Sequence, residues 1–251
     1  MLSLPQISDS EYMKSLLLTF TALSFFGAFN RWLLAVGLAA GIGYLGVRGW
    51  TLGRLPLVGP HDTIAFLAVS VAAMGLATGL SRPLRCSAWF NAAVGVLAGV
   101  FGGLSLMSRA RNMPMPAILD TLWFEMHVVL AFFAYALFGI GAIVSGGWLV
   151  SRERQLLDIQ FKTALAGWSF FSGSMVAGGI WGYYAWGTYW LWTPKELWTS
   201  ILWLFYALLL HMRLKGSRFD FISACLAIFG FAVTLFTYLG VSLLMKSSHS
   251  F

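Results

Sequence analysis

Charge is what this chain most lacks. Asp, Glu, Lys and Arg make up 10% of 251 residues, against roughly 25% in soluble globular proteins. Sixteen basic and nine acidic side chains cannot supply the polar surface that a soluble fold of this size needs, so that class is excluded. Cysteine is scarce too. Cys86 and Cys225 stand alone and form no CxxC pair, which removes a disulfide framework or a dithiol redox motif. Neither a Ser–His–Asp arrangement, an HExxH pattern, a phosphate loop nor an internal repeat can be read. The apolar runs are continuous rather than alternating, which argues against a barrel. Residues 1–14 have no basic n-region and no small-residue cleavage site follows. The first apolar run is therefore expected to stay as a membrane anchor and not to be cleaved.

What the chain does have is apolar length. Hydrophobic residues reach 59%, aromatics 16%, and the mean hydropathy is +0.79. An all-α, polytopic integral membrane bundle follows. A span needs about 20 apolar residues, and eight runs meet that scale: 11–29, 32–50, 62–81, 88–108, 120–149, 159–183, 197–213 and 219–245. The first has the least apolar core, because it contains Glu11 and Lys14. The net charge of +7 comes as single and paired residues between these runs. That is how membrane loops carry charge, and it gives no footprint for nucleic acid. Placing the loops near 31, 82–85, 152–162 and 213–218 inside gives nine basic residues there against seven outside. After residue 112 the split is six to two. Both termini are then external. The polar loop 109–120 divides the chain into N-terminal membrane helices, 1–113, and a second half, 114–251, that holds the unusual chemistry.

Five tryptophans fall within 18 residues between Trp181 and Trp198. An interfacial aromatic belt is one reading. A flat apolar platform for a planar ligand is the other, because aromatic faces stack on π systems. Three of the four histidines, His61, His127 and His249, fall on the same face as this loop, and imidazole binds haem iron from either axial side. His211 lies 15 residues beyond Glu196 on one helix, or roughly 22 Å. An ionisable group there is a functional hypothesis, with helix packing as the competing account.

The stretch Trp186-Gly-Thr-Tyr-Trp190-Leu-Trp192-Thr193-Pro-Lys195-Glu196 resembles the tryptophan-rich WWD signature, WGxxWxWDPKE, of haem-handling cytochrome c assembly proteins. Its Pro-Lys-Glu ending is similar to the CcsA/ResC branch of System II. Trp123-Phe-Glu-Met-His127-Val with Ala134-Tyr-Ala136 resembles that family's first external haem-ligand helix. Leu209-Leu-His211-Met-Arg213 is similar to its intramembrane histidine, and Gly240 to Phe251, containing His249, to its C-terminal histidine segment. The likeness runs through residues 114–251; the first hundred match only in hydropathy. Thr193 stands where the signature has aspartate and cannot carry its charge. His61-Asp62 also departs from the pattern, and His61 is open to two readings, an extra ligand or a loop residue.

The resemblance implies a membrane subunit of a cytochrome c synthase. It would move haem b outward and present it to the CxxCH segment of an apocytochrome c, with a CcsB/ResB-type membrane partner. His211 would be an inner waystation, and His127 and His249 would hold the iron from opposite sides. Trp181, Trp186, Trp190 and Trp192 would pack the porphyrin, with Lys195 and Glu196 beside it. Arg109, Arg111 and Lys195 are either propionate partners or ordinary interfacial cations. A bacterial plasma membrane, or a thylakoid, is the expected location, with the tryptophan loop outside. Two rivals stand beside this reading: a haem carrier without ligase activity, and a b-haem anchor of a respiratory complex.

Overall fold

Helices form wherever the apolar runs predict them. The computed structural model describes residues 9–27, 29–85, 87–112 and 115–244, so His249 lies outside the described residues. The long helices are α1 (Asp9–Phe26), α2 (Arg31–Leu52), α3 (Pro60–Thr78), α4 (Ala88–Met107), α5 (Leu122–Ser151), α6 (Arg154–Trp186), α7 (Pro194–Leu214) and α8 (Asp220–Leu235). Past α8 comes one π turn, Phe236–Gly240, in which the Val241 N–H reaches the Phe236 carbonyl, and then a last α turn, Val241–Leu244. The protein is an integral membrane helical bundle.

Six described helices are long and apolar enough to cross a bilayer: α2 to α5, α7, and the stretch Ser217–Leu244 that contains α8. Helices α1 and α6 are the other two of the eight runs. α1 carries Glu11 and Lys14, and α6 opens with Arg154, Asp158 and Lys162. Hydropathy measures transfer into lipid, whereas helix formation needs only satisfied backbone and packed neighbours.

The ends are set by local chemistry. Asn30 caps α2 by accepting from the Trp32 N–H at 2.9 Å, and Gly53 ends it in the left-handed region. Thr121 caps α5, and Gly187, at φ 75°, ends α6. Glycine is favoured there because it has no Cβ to clash.

The chain divides into two compact units, Met1–Leu76 with Asn91–Asn112 and Ala77–Phe90 with Met113–Phe251. In the first, α1 packs on α2 and buries Leu17, Phe20 and Leu34. Its polar centre is Arg48, 2% exposed, held by Asp62 at 3.0 and 3.2 Å. The same guanidinium donates to the Asn112 side chain and to the Arg111 carbonyl.

In the second unit α5 packs antiparallel on α6. Contacts advance along one helix as they retreat along the other: His127 meets Gly178, Leu130 meets Gly173, Phe138 meets Gly167 and Gly141 meets Thr163. Lipid offers no hydrophobic drive for helix association, so small residues that allow close packing take its place. Helix α8 packs on α5 and α7. Phe138 of α5 stacks on Tyr206 of α7, with both rings buried. At the other end of α7, Arg213 pairs with Asp158 of α6 at 3.1 Å and Asp220 of α8 at 3.0 Å, tying three helix ends together.

Candidate functional site

The site grows from the mouth of the α5–α6 pair. His127 sits in the second turn of α5, half-buried, and its Nδ1 lies 2.8 Å from the Ser174 carbonyl oxygen of α6. A carbonyl only accepts, so Nδ1 carries the proton and the Nε2 lone pair is left for a ligand. Among the described residues nothing hydrogen-bonds Nε2. Ser174 adds a second tie, its hydroxyl donating to the His127 carbonyl at 2.7 Å. Close approach requires Gly178: a Cβ there would lie 2.6 Å from Nδ1. Neither Ser174 nor Gly178 belongs to a readable motif. Only the antiparallel pairing of α5 with α6 brings them to His127, and one sequence does not state that pairing.

Trp181 backs the imidazole. It is 2% exposed, stacks on His127 at 6.3 Å and 20°, and donates its indole N–H to the Ile118 carbonyl at 2.7 Å. Trp186 meets Trp181 edge-on at 4.9 Å. These two tryptophans and His127 therefore form one aromatic cluster, with Trp181 as its buried support. Trp190 and Trp192 meet edge-on at 6.4 Å in the following loop, where Trp192 is 69% exposed.

That loop is shaped by Glu196. Its Oε2 accepts from the Leu191 N–H at 2.8 Å and the Thr193 N–H at 3.0 Å. Two donors flanking Trp192 and converging on one oxygen hold that residue at φ 55°, in the left-handed region that bulky side chains normally avoid. Thr193 returns the bond, its hydroxyl accepting from the Glu196 N–H, which completes a capping box with Pro194 at the first helical turn. The position where the signature has aspartate is thus an N-cap, and threonine supplies the same acceptor without the charge. Lys195 donates to the Ser242 hydroxyl at 3.0 Å, joining the start of α7 to the turn after α8.

Two predicted residues stand apart from the cluster. His211 lies in the last turn of α7, exposed, its Nδ1 donating to the Ala207 carbonyl at 2.8 Å. Its Nε2 is also left over, but the residue is at the other end of the helix from Glu196. His61 is different. Its Nδ1 faces the Ser105 and Ser108 carbonyls at 2.8 and 3.0 Å, and Nε2 accepts from the Tyr44 hydroxyl at 2.8 Å. Both ring nitrogens are engaged, which favours the structural reading of His61 over the extra ligand.

The profile of the "Cytochrome C assembly protein" family matches residues 58–249. The chain belongs to that family. Among its relatives is the "Cytochrome c biogenesis protein CcsA" of Chlamydomonas reinhardtii, 27% identical over 82% of this chain and 63% of its own length. The protein of the same name from Synechococcus sp. (strain CC9605) is 26% identical over 88% of this chain and 86% of its own. The fold is similar to that of "Cytochrome c Heme Lyase CcmF", with a TM-score of 0.74 and 17% identity, covering 99% of this chain and 49% of that one. The chain thus spans less than two thirds of the algal relative and about half of the lyase. The matched segment contains all four histidines and the tryptophan loop, so the family assignment and the aromatic cluster concern the same part of the chain.

Proposed function

We propose that this chain is the membrane haem-handling subunit of a cytochrome c synthase, with haem b as its cargo and an apocytochrome c as the acceptor. The observation that carries this reading is the His127 imidazole: one nitrogen fixed on Ser174, the other without a hydrogen bond among the described residues, and its ring face backed by Trp181. That donor set fits haem iron, which takes neutral imidazole as an axial ligand. His127 and His249 would hold the iron, Trp186, Trp190 and Trp192 would lie against the porphyrin, and His211 would serve as an inner station. The vinyl groups of haem supply the reactive carbons. In each attachment the thiol of a CxxCH cysteine adds across a vinyl double bond, sulfur to one carbon and hydrogen to the other.

The chain's own contribution is position. Holding thiol and vinyl in register replaces a bimolecular encounter with an oriented one. Ser174 and Gly178 aim the imidazole, and Glu196 fixes the curl that presents Trp192. A CcsB/ResB-type membrane partner belongs to this proposal. The aromatic loop faces outward, across a bacterial plasma membrane or a thylakoid membrane.

The test is co-expression with a CxxCH apocytochrome, with and without the partner, scored by covalent haem. Wild type with its partner is expected to attach haem, whereas His127→Gly and His249→Gly lose attachment and regain it with added imidazole. A variant that keeps six-coordinate haem and full attachment without imidazole removes that histidine from the ligand set. Haem bound but never attached, partner present, would leave a carrier rather than a ligase.

A further inference from the structure

The first unit contains a cavity that the haem reading does not use. It encloses about 470 Å³ among α1, α2, α3 and the end of α4, within the roughly 300–1,000 Å³ range of small-molecule sites. We propose that it binds the phosphate headgroup of an anionic phospholipid. Lys14 and Arg109 line it, both exposed. Among the described residues neither has an ion-pair or hydrogen-bond partner. Among the described residues no acidic side chain lines the cavity. Asp62 is taken up by Arg48 in a buried two-point pair, so that pair contributes no net charge to the wall, and Glu11, one turn before Lys14 on α1, neither lines the cavity nor forms an ion pair with Lys14. Two cations that form no ion pair among the described residues therefore face one space, and a neutral occupant would leave them so.

The rest of the wall is apolar. Leu17, Leu18, Leu106 and Met107 line it, and Leu18 and Met107 are 54% and 84% exposed. Arg109 lies two residues past the end of the α4 span at Met107, the level at which lipid headgroups meet a helix end. Cations at the headgroup level beside open apolar walls match an amphiphile that carries negative charge at its polar end. Guanidinium and ammonium offer eight N–H donors between them, and guanidinium is suited to two-point contact with phosphate oxygens. Haem is the other amphiphilic anion at hand. His61, at the back of the cavity, has both ring nitrogens engaged, so no imidazole is offered to iron here.

The experiment uses the full chain in bilayer discs of mixed phosphatidylglycerol and phosphatidylcholine, released into native mass spectrometry. Wild type is expected to retain phosphatidylglycerol in preference to phosphatidylcholine. Lys14→Gln and Arg109→Gln should each lower that preference about fivefold, since one cation near an anionic surface has roughly that effect. Lys215→Gln makes the same charge change away from the cavity and should leave the preference intact. Equal retention of both lipids, or an undiminished preference in the Lys14 and Arg109 variants, overturns the proposal. Millimolar inorganic phosphate that displaces the lipid assigns the site to a free anion and overturns it as well. Should the variants not fold, wild type alone decides: a higher melting temperature in phosphatidylglycerol discs than in phosphatidylcholine discs, lost in high salt, supports the site, and equal values refute it.

Discussion

Two histidines at the mouths of two helices, one in each unit, are built alike up to a point. His61 of α3 and His127 of α5 both lie within two turns of a helix start, and both give Nδ1–H to a backbone carbonyl more than forty residues away. In the first unit Tyr44 then closes Nε2, and a serine returns a hydroxyl bond to the histidine's own carbonyl. In the second, Ser174 makes that same return bond, while Trp181 covers the ring's face and no hydroxyl among the described residues closes Nε2. The difference lies in one oxygen atom, and it separates a histidine that fastens helices from one that can take a ligand. Position along a span does not distinguish them; the partner of the second nitrogen does.

Exchanging the two roles is the most severe test. His127→Gly is expected to abolish haem attachment in the co-expression assay, while His61→Gly leaves attachment measurable and mainly lowers the melting temperature. Equal loss of attachment in both variants would erase the distinction. The first unit should next prove sensitive where it is stabilised. Arg48→Met strands the Asp62 carboxylate among apolar neighbours, and breaking a buried pair from one side costs about 3–5 kcal/mol. Arg48→Met combined with Asp62→Leu should recover most of the lost melting temperature, because no charge is then left unpaired.

A smaller effect is expected from Gly178→Ala. Its Cβ would sit 2.6 Å from the His127 Nδ1, so either imidazole or helix must shift, at about 1–3 kcal/mol for overpacking. Haem attachment should fall more steeply than expression level, and a Soret band shifted from that of wild type would report the moved ligand. The least effect belongs to Thr193→Asp. Both side chains accept at an N-cap and differ by only a few tenths of a kcal/mol there, so attachment should stay the same or rise. A collapse would mean that charge, rather than capping, is what this position excludes.

The helical runs were legible because twenty apolar residues in a row have few other fates. Eight tryptophan, histidine and lysine positions of the candidate site could be named from spacing and resemblance, and Thr193 as a departure. What spacing does not carry is what each group bonds to. Glu196 reads as a charge near a ligand, whereas its carboxylate spans the loop's own N–H groups. Trp181 reads as part of a platform, whereas it is buried and packed against His127 and Trp186. Ser174, Gly178 and Tyr44 belong to no readable motif, and only tertiary pairing of distant segments gives them a role. The start of α6 at Arg154, five residues before the apolar run at 159, follows the same logic. Its first turns carry charge and are fastened through Arg213 to Asp158, a bond between helices that hydropathy does not see.

The π turn at Phe236–Gly240 acts as a phase shifter on the end of the chain. A ring closed over five residues instead of four holds one residue more than the α-helix would, and each residue advances the helix by about 100°. Everything after Gly240 is therefore rotated by that angle about the α8 axis relative to an uninterrupted helix. Ser242 meets Lys195 in this rotated frame, and Val241 is buried while Leu243 and Leu244 face outward. Deleting a single residue between Phe236 and Gly240 would keep the helix, its length to within about 1.5 Å and its composition. It would turn Ser242 away from Lys195 and break the tie between the start of α7 and the last turn of the described chain.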